Sequence, residues 1–317
     1  MTSSVPPIEV ALPELSRWAD GNTGIRYVWT FSGKRPGPHV LLQALTHGNE
    51  VCGAIALNWL LSTEFRPLRG TLSFCFANVD AYRAFDSADP FGSRCVDEDF
   101  NRLWSLEVLD GPRQTTELAR ARELRPFYDG VDYLLDLHSM TDHCPPLAMA
   151  GRQRKGIALA QAMGTPEHIV VDAGHAAGKR LRDYEFFDDP NDPRNALLVE
   201  CGQHWEKASA GVAKQSVLRF VRHFGMADPE FLEAHIDWTP MPQQKVVQVT
   251  SVITIATDDF AFALPVKGLT VVPKSGTMLA RDGSTKILTP YPNCVLIMPT
   301  RRPKKGETAV RLGRFVD

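Results

Sequence analysis

No apolar run in this sequence approaches the roughly 20 residues needed to span a bilayer. Charge of one sign is also missing: 35 Lys and Arg stand against 37 Asp and Glu, a formal net charge of −2. That balance argues against nucleic acid or an anionic membrane as a partner. The six cysteines (Cys52, Cys75, Cys95, Cys144, Cys201 and Cys294) are scattered, with no CxxC pair. In a chain of this size they read as reduced thiols, several of them in buried runs. The opening stretch, Met1 to Pro7, lacks the basic and apolar regions of a secretory signal. The expected location is therefore cytoplasmic. Internal repeats and low-complexity tracts are absent as well.

With 317 residues, 44% of them hydrophobic, the chain can form one large core or two unequal domains. Short apolar runs at 40–45, 71–77, 131–137, 168–171 and 196–199 read as buried strands. Helical spacing separates them at 51–61, 115–128, 156–163 and 206–224. Alternating strands and helices predict an α/β fold with a mostly parallel or mixed central sheet flanked by helices. The pattern changes after Pro229: from about residue 235 only β-rich runs remain, between Gly, Pro and Asp turns. A catalytic domain over 1–230 and a small all-β domain over 235–317 are expected. Two irregular segments, 83–113 and 173–195, interrupt the first domain, and long loops inside regular patterns tend to carry function.

Open α/β sheets place ligands at the carboxyl ends of their strands. His47 and Glu50, Asn78, His138 and Glu200 all fall at such ends. An imidazole and a carboxylate three residues apart in a loop can reach one ion together; equally, Glu50 can be a helix-terminal charge and His47 a bystander. Adding His138 makes two His and one Glu, the composition of a catalytic zinc site with an open fourth position. Alone, His138 also fits a strand-end histidine bonded to backbone. Asp136 could stand behind it, with no target evident from the sequence. Glu200 closes a four-residue apolar strand, where a charge is costly unless paired or used for proton transfer. The loop Ser93 to Arg102 carries Arg94 and Arg102 among acids. Arginines there could stabilise an oxyanion or clamp a carboxylate, or could belong to a solvated charged loop.

Four short motifs occur in order: His47-Gly48-Asn49-Glu50, Asp99-Phe100-Asn101-Arg102, Asp136-Leu137-His138-Ser139 and Val199-Glu200-Cys201-Gly202. Together they resemble the succinylglutamate desuccinylase/aspartoacylase family, relatives of the zinc carboxypeptidases, over about residues 38–205. The resemblance implies one zinc ion on His47, Glu50 and His138, with Glu200 as general base and then acid. It implies that Arg94 polarises the scissile carbonyl and that Asn101 and Arg102 contact a substrate carboxylate. The implied activity is amide hydrolysis of a small N-acylated amino acid or related compound. A C-terminal β-rich domain and homo-oligomers are also compatible with this family. Departures exist: Cys201 follows the glutamate where many members carry a small or aliphatic residue. Lys179, Arg180, Arg182 and Arg194 compete for a further substrate-binding role, and Tyr291 is a candidate from the C-terminal region. A carboxypeptidase-type peptidase and a non-catalytic binding relative are the alternatives. His143, Cys144 and His204 read as residues shaping or lining a pocket.

Overall fold

In the computed structural model, which describes residues 5–175 and 177–316, β1 (Val28–Ser32), β2 (Arg35–Ala44) and β3 (Arg69–Phe76) open one long sheet. Residues 1–4, part of the stretch read for a secretory signal, lie outside the described residues. The sheet continues with β4 (Tyr133–Met140), β5 (Leu147–Met149), β6 (His168–Val171) and β7 (Asn195–Gln203). From the C-terminal third come β8 (Lys245–Thr254), β9 (Phe260–Phe262) and β10 (Thr270–Val272). They are followed by β11 (Met278–Asp282), β12 (Thr285–Leu288), β13 (Cys294–Ile297) and β14 (Thr308–Val316).

Eleven strands run in the order β1-β3-β2-β4-β7-β5-β6-β8-β14-β13-β10, and β12-β11-β9 form a separate small antiparallel sheet. The centre (β3, β2, β4, β7) is parallel, whereas β1, β5 against β7, and the strands beyond β8 are antiparallel, so the sheet is mixed. The C-terminal β region does not simply abut the rest. Strand β8 pairs with β6 from His168↔Lys245 to Val171↔Gln248, so the main sheet carries on into it.

Alternation along the central strands feeds two cores. Leu42, Leu135, Leu137, Leu197 and Val199 pack with the helices Val51–Ser62 and Lys207–His223 on one face. Leu41, Leu134 and Ala196 point to the other face, against Phe100, Trp104, Leu124 and Tyr128. Each such aliphatic side chain contributes about 1.5–3 kcal/mol over leaving it in water. Helix Val51–Ser62 is apolar nearly all round because it is sandwiched between the sheet and helix Lys207–His223. The strands β4 and β7 extend past the apolar runs that announce them, through Met140 and Gln203. His138 and Glu200 therefore sit inside ladders rather than beyond their ends. Among the described residues no helix is long and apolar enough to cross a membrane.

Candidate active site

The chain leaves β2 through Leu45, whose φ of 59° turns it sharply into the loop 46–50. Gly48 is required there. A Cβ at that position would stand 2.4 Å from backbone atoms of Ala81, Tyr82 and Ser93. Its N–H donates to the Arg94 carbonyl at 3.0 Å, joining this loop to the irregular segment after β3. Glu50 occupies the N-cap of helix Val51–Ser62 without using its carboxylate as a cap. That carboxylate reaches outwards instead: Oε1 lies 2.7 Å from His47 Nδ1, and Oε2 lies 2.8 Å from His138 Nδ1. The Ser139 N–H also donates to Oε2 at 3.0 Å.

Both imidazoles thus turn Nδ1 to Glu50, and each has a second carboxylate behind it. His47 Nε2 is 2.9 Å from Asp99 Oδ1, and His138 Nε2 is 2.9 Å from Asp136 Oδ2. Asp136 in turn accepts from Thr46 Oγ1 at 2.8 Å and Gln43 Nε2 at 3.2 Å. Outer carboxylates of this kind fix the tautomer and raise the basicity of ligating histidines. One donor atom from each of His47, Glu50 and His138 lies within 4.8 Å of the others, and all three residues are buried. Two nitrogens and a carboxylate oxygen so held could bind a metal ion, and the donor types fit a transition metal. Burial alone would raise the Glu50 carboxyl, but His47 and His138 outweigh it and hold it well below the usual range. Burial likewise opposes charge on His138, yet Asp136 and Glu50 keep its proton affinity well above normal.

Glu200 stands beside His138 in the β4/β7 register. Its Oε2 is buried with no hydrogen-bond partner, and burial followed by the Glu50 charge pushes the carboxyl up to about 8. Arg94 completes the inner cluster, with Nη1 at 3.2 Å from Glu50 Oε1 and Nη2 at 2.9 Å from Asp99 Oδ2. Asn101 accepts the Leu181 N–H on Oδ1 at 2.9 Å, which pins the 173–195 segment to the first loop. Arg102 donates to the Asn101 carbonyl at 2.7 Å and stands 3.7 Å from Asp99. A cavity of about 160 Å³ is lined by all seven residues named as ligands, catalytic groups or substrate contacts in the sequence. A larger space of about 500 Å³ adjoins it, bordered by Arg94, Arg102, His204 and residues 300–308.

The further candidates separate. Arg180 reaches the cavity wall but is bound to Asp172 and Asp183. Arg182 is fully buried against Asp183 and the Ala196 carbonyl, in space that Gly151 leaves open. Lys179 pairs with Glu185, and Arg194 with Asp192 over the Phe186 ring. Tyr291 lies away from the cavity, bonded to the Thr250 hydroxyl with Arg314 over its ring. His204 lines the cavity, bonded to Ser139 Oγ at 2.9 Å, and burial pushes it down to about 4. His143 is exposed and pairs with Glu206.

Three participants have no signature in the sequence. Glu117, on helix Thr116–Tyr128, is buried and accepts the N–H groups of Val96, Asp97 and Glu98 plus the Asn78 amide. It anchors the loop that carries Arg94 and Arg102. His175 and Arg311, from the second loop and from β14, complete the cavity wall. Nothing local marks them, because tertiary packing brings them in.

Comparison with known proteins places the chain in a family and a fold. Residues 36–217 match the family model of the succinylglutamate desuccinylase/aspartoacylase catalytic domain. A probable aspartoacylase from Parasynechococcus marenigrum is 32% identical over 216 residues, covering 60% of this chain and 69% of that protein. The structure of a succinylglutamate desuccinylase from Vibrio parahaemolyticus superposes with a TM-score of 0.66 at 18% identity, over 92% of this chain and 87% of that one. A product-bound structure of the ectoine utilization protein EutE from Ruegeria pomeroyi gives 0.62 at 19% identity, over 90% and 87%. The chain belongs to the succinylglutamate desuccinylase/aspartoacylase family.

Proposed function

We propose that this member of the succinylglutamate desuccinylase/aspartoacylase family is a zinc-dependent deacylase that hydrolyses the amide of a small N-acylated amino acid or related compound. The observation that carries the reading is the Glu200 carboxyl, buried without a partner at Oε2 beside His47, Glu50 and His138. A buried carboxyl left free of hydrogen bonds is costly, and proton transfer is a use that offsets the cost.

His47, Glu50 and His138 would hold the ion, positioned by Asp99 and Asp136. Zinc supplies positive charge that lowers the pKa of a water and polarises a carbonyl. Glu200 accepts a proton from the attacking water and returns it to the leaving nitrogen, so the C–N bond breaks with release of an acid and an amine. Arg94 presents its guanidinium to the negative charge that develops on the carbonyl oxygen. Asn101 and Arg102 orient the substrate through a carboxylate.

The small inner cavity, walled on one side by Met298 and Arg311 from the C-terminal region, favours small amides over polypeptides. Six free cysteines, five of them buried, fit a reducing compartment such as the cytosol. The reading is tested by metal analysis together with turnover of a panel of N-acyl amino acids and peptides. Stoichiometric zinc that is lost in His47→Ala and His138→Ala supports it, as does zinc retained in Glu200→Gln with kcat lowered ~100-fold or more. Cleavage of peptides without cleavage of N-acyl amino acids would favour the peptidase. Ligand binding with no turnover of any amide would favour the non-catalytic relative.

A further inference from the structure

We propose that the outer space beside the inner cavity is a subsite for an uncharged carboxamide of the substrate, whose N–H is accepted by Asn49 Oδ1 and whose carbonyl takes a proton donor from His204. The inference deepens the deacylase reading and rests on it only for calling the ligand a substrate.

The outer space, of about 500 Å³, is bordered by Asn49, Phe91, Thr141 and His204, and it shares Arg102, Thr141 and His204 with the inner cavity. A ligand held at Arg102 can therefore extend into it. Asn49 is 2% exposed, and its Oδ1 has no hydrogen-bond partner among the described residues. Its backbone is fixed from both sides. The Asn49 carbonyl accepts the Trp205 indole N–H at 3.2 Å, and the preceding Gly48 N–H is bonded to the Arg94 carbonyl. The Trp205 ring packs in turn on Phe91, with centroids 5.0 Å apart.

His204 reaches the same space from the end of β7. His138 pairs with Glu200 but Met140 with Gln203, so β7 carries one residue more than β4 and bulges. Gly202 makes the bulge possible: its φ is 124°, and a Cβ there would meet Ser209 Oγ at 2.6 Å. Beyond it the His204 N–H donates to the Met140 carbonyl at 2.9 Å, which fixes the turn. The imidazole Nδ1 lies 2.9 Å from Ser139 Oγ, whereas Nε2 has only a long contact, 3.4 Å to Thr141 Oγ1. With the Ser139 hydroxyl donating to Nδ1, Nε2 carries the proton and can donate it to a ligand. Burial pushes this imidazole down to about 4, so it is uncharged at neutral pH.

The charged groups around the outer space are engaged elsewhere. Arg94 is paired with Glu50 and Asp99, Arg302 lies 3.6 Å over the Phe91 ring, and Glu307 is 3.4 Å from Lys304. What stays open is neutral: an acceptor without a partner and a loosely held donor. A buried acceptor without a donor is costly, so a ligand that reaches Asn49 must bring one. A carboxylate has no proton to give, whereas a carboxamide supplies both an N–H and a carbonyl.

The test uses zinc-loaded protein and free amino acids, which have no acyl group to lose. L-asparagine and L-glutamine are compared with the similarly shaped L-leucine and L-norleucine by titration calorimetry. Two added hydrogen bonds predict that wild type binds at least one carboxamide about tenfold more tightly than its apolar counterpart. N49L and H204F should each reduce that preference about threefold or more. N49D and H204Q, which keep an acceptor and a donor, should retain most of it. Zinc content is recorded for each variant, and variants are compared at full loading. A crystal structure of wild type with the tighter carboxamide needs no substitution, and contact of its amide with Asn49 and His204 is expected. The proposal is overturned by a wild type that prefers neither carboxamide, by a preference unchanged in both N49L and H204F, or by a complex whose amide touches neither residue. Turnover of N-acyl amino acids is measured separately. An Asn49-dependent preference without any turnover leaves the subsite standing and removes the deacylase reading, and turnover without the preference does the reverse.

Discussion

Asp136 Oδ2 lies 2.9 Å from His138 Nε2, two residues along the same strand and on the same face. The contact settles which nitrogen of His138 is directed at Glu50, and Thr46 and Gln43 hold the aspartate from behind. Replacing it by Asn removes the charge and allows the amide to present a donor. Asp136→Asn should weaken zinc binding about 10- to 100-fold, as loss of such outer carboxylates does, with little change in fold. Competition with a chromophoric chelator measures it. Unchanged affinity would show that Asp136 serves only the buried polar network.

Gly48 links the two loops of the site. Gly48→Ala must displace the backbone at Ala81, Tyr82 or Ser93, each met at 2.4 Å. Zinc affinity and thermal stability should fall together, by an amount on the order of 1–3 kcal/mol in stability for an overpacked buried position. Scanning calorimetry of the loaded protein checks it.

Glu117 acts through the loop it anchors. It touches no proposed ligand, but three consecutive backbone N–H groups end on its carboxylate. Glu117→Ala should raise KM and weaken zinc binding together, because the loop bearing Asp99, Asn101 and Arg102 loses its anchor. The orphaned N–H groups should also destabilise the chain by about 1–3 kcal/mol. Steady-state kinetics and zinc titration beside urea denaturation provide these numbers, and an unchanged KM would contradict the assignment.

Asp183 makes stability depend on acid. Burial opposes its charge, yet Arg180 and Arg182 hold the carboxyl down at about 2, against an ordinary 3.8. Its folded value is depressed, so its contribution is present above pH 4 and fades as pH falls through 2. That contribution is about 2 kcal/mol at neutral pH. Urea denaturation of metal-free protein from pH 5 to pH 2.5 should show a steeper loss for wild type than for Asp183→Asn. Parallel curves would rule the contribution out.

The parallel centre of the sheet was legible because its strands are short apolar runs between turns, and the inner residues cluster where such runs end. His47, Glu50, His138 and Glu200 share one cavity for that reason. Strand β14 was not legible: Thr308 to Val316 mixes Arg311 and Arg314 with Val310, Leu312 and Phe315, and a buried arginine breaks the apolar signature. Within the β-rich C-terminal region the stretch Lys245–Thr254 is one strand, though its sequence is not continuously apolar. Its exposed positions, Val252 excepted, are polar because most of that face is not covered. The partners of Lys179, Arg180, Arg182 and Arg194 were hidden for another reason. Acids lie close to all of them in sequence, and only packing decides which pairs form.

The ladder from β6 into β8 and on to β14 has a mechanical meaning. A lid carried on a hinge can swing; a wall that is a continuation of the floor cannot, unless backbone hydrogen bonds break along its whole seam. The turn between β13 and β14, residues 298–307, borders the outer space through Thr300, Arg302, Gly306 and Glu307. The far wall, with Arg311, keeps a fixed distance from His47 and His138.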